Sequence, residues 1–225
     1  MSGTDARATP LVIAIDGPAA SGKSSTAKRV AERLGIAHAD SGALYRAATL
    51  ARLRAGGAPP WTEASVLDAT RAVSLARGTT SFEPRVDGAP VAEALHGEAV
   101  TAQVSAVAKM PGVRAWVNAR MRECAGHGPI VVDGRDMGTA VFPDARLKVF
   151  LVAEPAVRAQ RRLLQRLGRA PTDDEVARER AELTRRDAMD AAQSSPARDA
   201  VVIDTSHLSE EEQAERISAL ARRRG

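Results

Sequence analysis

Aromatic residues are scarce in this chain of 225 residues: three Phe, two Trp and one Tyr, 3% of the total. Proteins that bind single-stranded nucleic acid stack bases on aromatics set along a basic groove. That class is disfavoured, and no nucleic-acid partner is expected. Cysteine is almost absent. Cys124 stands alone, so no intramolecular disulfide is possible, which suits a reducing cytosol. With no His or Asp at a telling spacing, it reads as a buried, inert thiol. Long apolar runs are missing too. The longest, residues 11–15 and 149–153, fall far short of the roughly 20 residues that cross a bilayer. Residues 1–10 are polar with no apolar run behind them, unlike a signal peptide. A cytoplasmic protein with no membrane partner is expected. Lysine occurs at only four positions, Lys23, Lys28, Lys109 and Lys148, among 32 Lys and Arg residues.

The net charge of +4 and the pI of about 9.8 suit an anionic ligand. Heavy Arg and Ala usage also fits a GC-rich genome, and no basic run is long enough to be a nucleic-acid tail. Hydrophobic residues make up 44% and charged residues 27%, the balance of an ordinary globular chain with an aliphatic core. The length suits one domain with a small insert.

Apolar, β-branched runs at 11–15, 130–132, 147–152 and 200–203 read as buried parallel strands. Helical periodicity fills 24–34, 42–55, 113–125, 155–167, 172–189 and 209–223. The alternation predicts an α/β three-layer sandwich: a parallel sheet with helices on both faces. One segment breaks it. Between Phe82 and Val91 an Asp87-Gly88 turn joins two short extended runs, a hairpin signal. Residues from about 65 to about 105 are expected to form a small insert carrying that hairpin and flanking helices.

Gly17-Pro18-Ala19-Ala20-Ser21-Gly22-Lys23-Ser24 matches G-x-x-x-x-G-K-[ST]. The glycines let backbone N–H groups turn inward onto phosphate oxygens, and the next helix opens toward the same anion. Lys23 reaches the β- and γ-phosphates, and the Ser24 hydroxyl can ligate Mg²⁺. Four fixed positions arise by chance about 1% of the time in such a chain; here a strand precedes the motif and a helix follows. ATP and Mg²⁺ are the expected cofactors. No Asn/Thr-Lys-x-Asp guanine-reading motif is found, which argues against a GTPase.

Two further blocks follow strands and so face the carboxyl edge of the sheet with the P-loop: Asp40-Ser41-Gly42-Ala43-Leu44-Tyr45-Arg46 and Asp133-Gly134-Arg135-Asp136-Met137-Gly138-Thr139. Together with Ile15-Asp16-Gly17-Pro18, Arg158-Ala159-Gln160-Arg161-Arg162, Arg186-Asp187-Ala188-Met189-Asp190 and Val202-Ile203-Asp204-Thr205-Ser206, in family order along nearly the whole chain, they closely resemble the bacterial cytidylate kinase family. The resemblance implies a P-loop kinase with a nucleoside-monophosphate (NMP) insert and an Arg-bearing lid at about 155–190. It would transfer the ATP γ-phosphate to CMP or dCMP. ATP would lie on residues 17–24, Ser25, Arg158 and Arg162. The monophosphate site would draw on Ser41, Tyr45, Arg46, Ser105, Arg114, Asp133, Arg135, Asp136, Arg186 and Asp190, with Ser105, Arg114 and Asp136 reading the cytosine edge. Lys23, Arg135 and Arg186 would act in phosphoryl transfer, and the resemblance suggests a monomer.

Adenylate and thymidylate kinases should carry Gly-Phe-Pro-Arg and Asp-Arg-Tyr/Phe blocks; neither is present. The chain departs from the family three residues after Asp190. A phosphate-binding Arg is usual there and Gln193 stands in its place, followed by a shortened stretch at 194–199.

Overall fold

The computed structural model describes residues 11–190 and 194–224; the side chains of Met189 and Asp190, and Gln193, lie outside the described residues. Five parallel strands form the central sheet: β1 (Val12–Asp16), β2 (Ala37–Asp40), β6 (Ile130–Gly134), β7 (Leu147–Val152) and β8 (Val201–Asp204). Their order is β2-β6-β1-β7-β8. β1 runs down the middle, in register with β6 from Val12↔Ile130 and with β7 from Ile13↔Leu147.

Period-two alternation along β1 sorts the core into two layers. Ile13 and Ile15 point into one layer with Leu147, Val149 and Leu151. That layer is closed by Val30 of α1 (Lys23–Leu34) and Ile217 of α8 (Glu210–Arg223). Val12 and Ala14 point the other way, toward Leu44 of α2 (Ser41–Arg54) and Val117 and Met121 of α5 (Pro111–Ala125). The sandwich is therefore three layers deep, as the strand–helix alternation predicts.

The hairpin lies where Asp87-Gly88 predicts it. β4 (Phe82–Val86) turns through Asp87 (φ 53°) and Gly88 (φ 75°) into β5 (Ala89–Pro90). Positive φ at both turn residues is what a type I′ hairpin needs. The apolar runs missed an antiparallel neighbour, β3 (Val73–Arg77), and missed β2. Two helices flank the small sheet, α3 (Glu63–Ala69) and α4 (Glu98–Val107). Its inner face packs on the outer face of α2, where Val86, Val91, Leu95 and Val100 meet Ala47, Leu50 and Ala51. β2 ties this insert to the main sheet: the His38 N–H donates to the Thr80 carbonyl at 3.0 Å.

Beyond β7, α6 (Pro155–Leu167) and α7 (Asp173–Asp190) form an antiparallel pair. A small cluster of Ala159, Leu183 and Ala19 seats it on the P-loop. α8 opens with a reciprocal cap, in which the Ser209 hydroxyl accepts from the Glu212 N–H and the Glu212 carboxylate accepts from the Ser209 N–H.

Candidate active site

The carboxyl ends of β1, β2 and β6 meet at one crevice. At the end of β1 the chain curls through residues 17–22 before α1 begins at Lys23. Gly17 has φ 157°, and a Cβ there would lie 2.5 Å from the Leu151 carbonyl oxygen, so a side chain would force β1 and β7 apart. Lys23 is half-buried and its Nζ donates to the Pro18 carbonyl at 3.4 Å. Burial, reinforced by Arg135, pulls its pKa down to about 8, against the carboxylates of Asp133, Asp40 and Asp16. The Ser25 hydroxyl donates to the Gly22 carbonyl at 3.0 Å. The Ser21 hydroxyl is buried with no hydrogen-bond partner, and buried hydroxyls are seldom left so.

Next to the P-loop lies a chain of short polar contacts. Ser24 Oγ donates to Asp133 Oδ2 at 2.6 Å, and His38 Nε2 sits 2.7 Å from Asp133 Oδ1. Burial opposes the imidazolium of His38. The hydrogen bond to Asp133 and the charges of Asp133 and Asp40 outweigh it, and the pKa moves up. Asp40 caps α2 through the Ala43 N–H at 3.2 Å. Burial first, and then the Asp133 carboxylate, raise its pKa to about 6.

A hydroxyl and a carboxylate side by side are hard oxygen donors. They fit Mg²⁺, which takes one or two protein oxygens and completes its shell with water and nucleotide phosphates. Among the described residues no group of three or more His, Cys, Asp or Glu side chains is placed to hold a metal alone.

On the other side of the crevice the residues expected at the monophosphate site come together from four elements. Arg114 on α5 donates through Nη1 to the Ala108 carbonyl at 3.2 Å, and through Nη2 to Asp136 Oδ2. Burial raises the Asp136 pKa, and Arg114 opposes that rise. Arg46 on α2 donates to the Leu95 carbonyl at 3.1 Å and to Thr101 Oγ1 at 3.2 Å, which ties it to the insert. Ser105 lies half-buried on α4. The Tyr45 hydroxyl is a second orphan: buried and without a hydrogen-bond partner, with its pKa pushed up to about 12 by burial. Tyr45 thus also belongs to the core, packed among Leu44 and Val113. Arg135 sits between the two halves, its Nη1 donating to the Gly17 carbonyl at 3.3 Å. Arg186 lies half-buried on α7.

Four of the expected residues are already engaged within the protein. Asp133, expected at CMP, is fully buried and turns both carboxylate oxygens to Ser24 and His38. Arg158, expected at ATP, is buried. Its Nη1 bridges the Ala19 carbonyl at 3.1 Å and Asp187 Oδ2 at 2.7 Å, which makes it a brace. Arg162, expected at ATP, pairs with the buried Glu179 of α7 at 3.0 Å. The Ser41 hydroxyl donates to the Asp133 carbonyl at 2.9 Å, so its proton is already committed within the protein. Sequence reasoning missed His38 as a site residue. A lone His on a short strand carries no spacing signal, and only the fold sets it against Asp133.

A family model described as cytidylate kinase matches residues 13–223. The chain is 46% identical to a cytidylate kinase of Thermus thermophilus over 203 residues, covering 89% of this chain and 93% of that protein. It is 44% identical to one of Geobacillus kaustophilus, covering 95% and 97%. A third, from Mycobacterium avium, is 42% identical, covering 95% and 96%.

Proposed function

The chain belongs to the cytidylate kinase family, and we propose from that membership, and from the site around its P-loop, how it works. It is a phosphotransferase that moves the γ-phosphate of ATP to CMP or dCMP, giving CDP or dCDP and ADP. The observation that carries the acceptor reading is the Arg114–Asp136 pair, next in sequence to Arg135, whose charge acts on Lys23. The cytosine exocyclic amine is a donor, and its ring nitrogen and carbonyl are acceptors. A carboxylate beside a guanidinium offers the complementary pattern.

In the reaction a CMP phosphate oxygen attacks the γ-phosphorus. A new P–O bond forms in line as the bond to the β,γ-bridging oxygen breaks, and ADP leaves. The protein supplies placement and positive charge, not covalent chemistry. The P-loop N–H groups and Lys23 hold the ATP phosphates. Arg46 serves the monophosphate. Arg135 and Arg186 serve the transferring group, and Asp190 is assigned to the acceptor nucleotide. Ser24 and Asp133 would hold Mg²⁺, which would supply positive charge to offset that of the phosphates. Residues of about 65–105 act as the NMP insert and those of about 155–190 as the lid, whose closure shuts water out. We assign the protein to the cytoplasm as a monomer; no described helix is long and apolar enough to cross a membrane.

A coupled ADP-release assay with a panel of CMP, dCMP, UMP, AMP, GMP, dTMP and shikimate tests the reading. Strong turnover with CMP and dCMP alone is expected. Turnover led by another acceptor, or none above the rate without acceptor, would overturn it.

A further inference from the structure

Asp16 is the last residue of β1, immediately before the P-loop, and it belongs to neither substrate in the account above. Its side chain turns away from the P-loop, toward the block that follows β6. One carboxylate oxygen, Oδ1, accepts from the Met137 N–H at 2.8 Å, and Oδ2 accepts from the Gly138 N–H at 2.7 Å. Both amides open the single turn of π-helix at Met137–Val141, where N–H groups lack partners within the turn. The approach depends on Gly138. A Cβ at that position would sit 3.3 Å from Asp16 Oδ2 and 3.3 Å from Lys148 Cγ, tight on both sides.

Asp136, which pairs with Arg114, directly precedes this turn, and Arg135 lies one residue further back. The Arg135 guanidinium in turn donates to the carbonyl of Gly17, the neighbour of Asp16. Asp16 and the residue after it thus hold three residues of the loop after β6, 135, 137 and 138, on either side of Asp136.

We propose that Asp16 is a positioning residue for the acceptor: its carboxylate fixes the 135–138 loop against the P-loop strand and so sets where Arg135 and Asp136 meet CMP. The inference rests on the roles proposed above, Asp136 for the acceptor base and Arg135 for the transferring group.

The cost of the arrangement marks it as functional. A carboxylate this deeply buried is held out of water, and burial, opposed by the Gly138 and Met137 N–H groups, leaves its pKa raised to about 6. Asp136 raises it further and Lys23 lowers it. Packing alone is served more cheaply by a neutral side chain.

The test is Asp16→Asn, which keeps the shape but turns an amide N–H toward one of the two backbone donors. The expected result is a rise of roughly tenfold in KM for CMP, with KM for ATP within about twofold of wild type and a smaller preference for CMP over UMP. The scale is that of an outer residue that orients a contact residue. Equal shifts in both KM values, or no shift in either, would overturn the proposal. A loss of thermal stability with unchanged kinetics would make Asp16 purely structural.

A measurement on the wild type stands even where the variant fails to fold. The Met137 and Gly138 amide NMR signals should move together between pH 4.5 and 7.5, with a midpoint near 6. Flat signals would remove the cost of burying the carboxylate and with it the argument that the contact does more than pack. If the wild type shows no preference for CMP, the acceptor reading fails instead, and the amide titration still reports on Asp16.

Discussion

The two halves of the crevice are built on opposite plans. The donor half is nearly all backbone: a contiguous loop, residues 17–22, whose carbonyls and amides are set by φ angles and by the start of α1. The acceptor half is nearly all side chain. Arg46 comes from α2, Ser105 from α4, Arg114 from α5 and Asp136 from the loop after β6. A loop that grips with amides recognises any polyphosphate. Side chains gathered from distant segments recognise a particular base, and each can be lost separately. Generality is coded locally and specificity over long range.

The difference predicts how each half breaks. The largest effect is expected from Lys23→Ala. Turnover should fall about 100- to 1,000-fold, the scale for one preorganised donor in a transition state, with the unfolding midpoint little changed; near-normal turnover would sink the donor assignment. Arg114→Ala comes next. It strands the buried Asp136 carboxylate, and losing one partner of such a pair costs roughly 2–3 kcal/mol in binding. A rise of roughly 30- to 100-fold in KM for CMP is expected, with ATP affinity unchanged by calorimetry. If ATP binding fell in parallel, the two halves would not be separable.

His38→Phe sharpens the boundary, because the His38 imidazole holds Asp133. Second-layer partners of metal ligands are worth about 10- to 100-fold. The gain in ADP affinity on adding Mg²⁺, read by calorimetry, should shrink about tenfold, and His38→Gln should restore most of it. A Mg²⁺ dependence that stays intact in His38→Phe would remove the role.

The pH response belongs to the donor half. Lys23 lies below its ordinary pKa, at about 8, so its cation is lost as pH rises through that value. ATP affinity should weaken roughly tenfold from pH 7 to pH 9. The free protein should gain stability over the range from 8 toward 10.5, since the buried neutral amine is the cheaper form. A flat ATP profile would mean that Lys23 does not meet the phosphates. The smallest effect should come from Ser209→Ala, far from the crevice. Losing the cap of α8 costs about 1 kcal/mol, a fall of about 2–4 °C in Tm, with kinetics unchanged.

The same contrast explains what the sequence disclosed. The P-loop, the α/β alternation and the Asp87-Gly88 turn were legible because each is a local pattern with a backbone cause. β2 was not. Its Ala-His-Ala-Asp has no β-branched residue, and it is a strand because β6 pairs with it. β3, likewise, is drawn out by pairing with β4. The Arg114–Asp136 pair came from resemblance, since nothing in a separation of 22 residues announces a contact. The partners of the α6 arginines were illegible for the same reason. Arg158 and Arg162 look alike in sequence, and their partners Asp187 and Glu179 arrive only when α7 folds back.

Arg158 has one more consequence. Its guanidinium is shared between the P-loop, through the Ala19 carbonyl, and α7, through Asp187, and the residue is almost sealed from water. The helix and the loop are therefore geared together. A displacement of α7 relative to residues 17–22 would have to stretch one of these two bonds. That bridge lies beside the apolar contact of Ala159 and Leu183 with Ala19, one turn before Arg162 begins the ion pairs with Glu179.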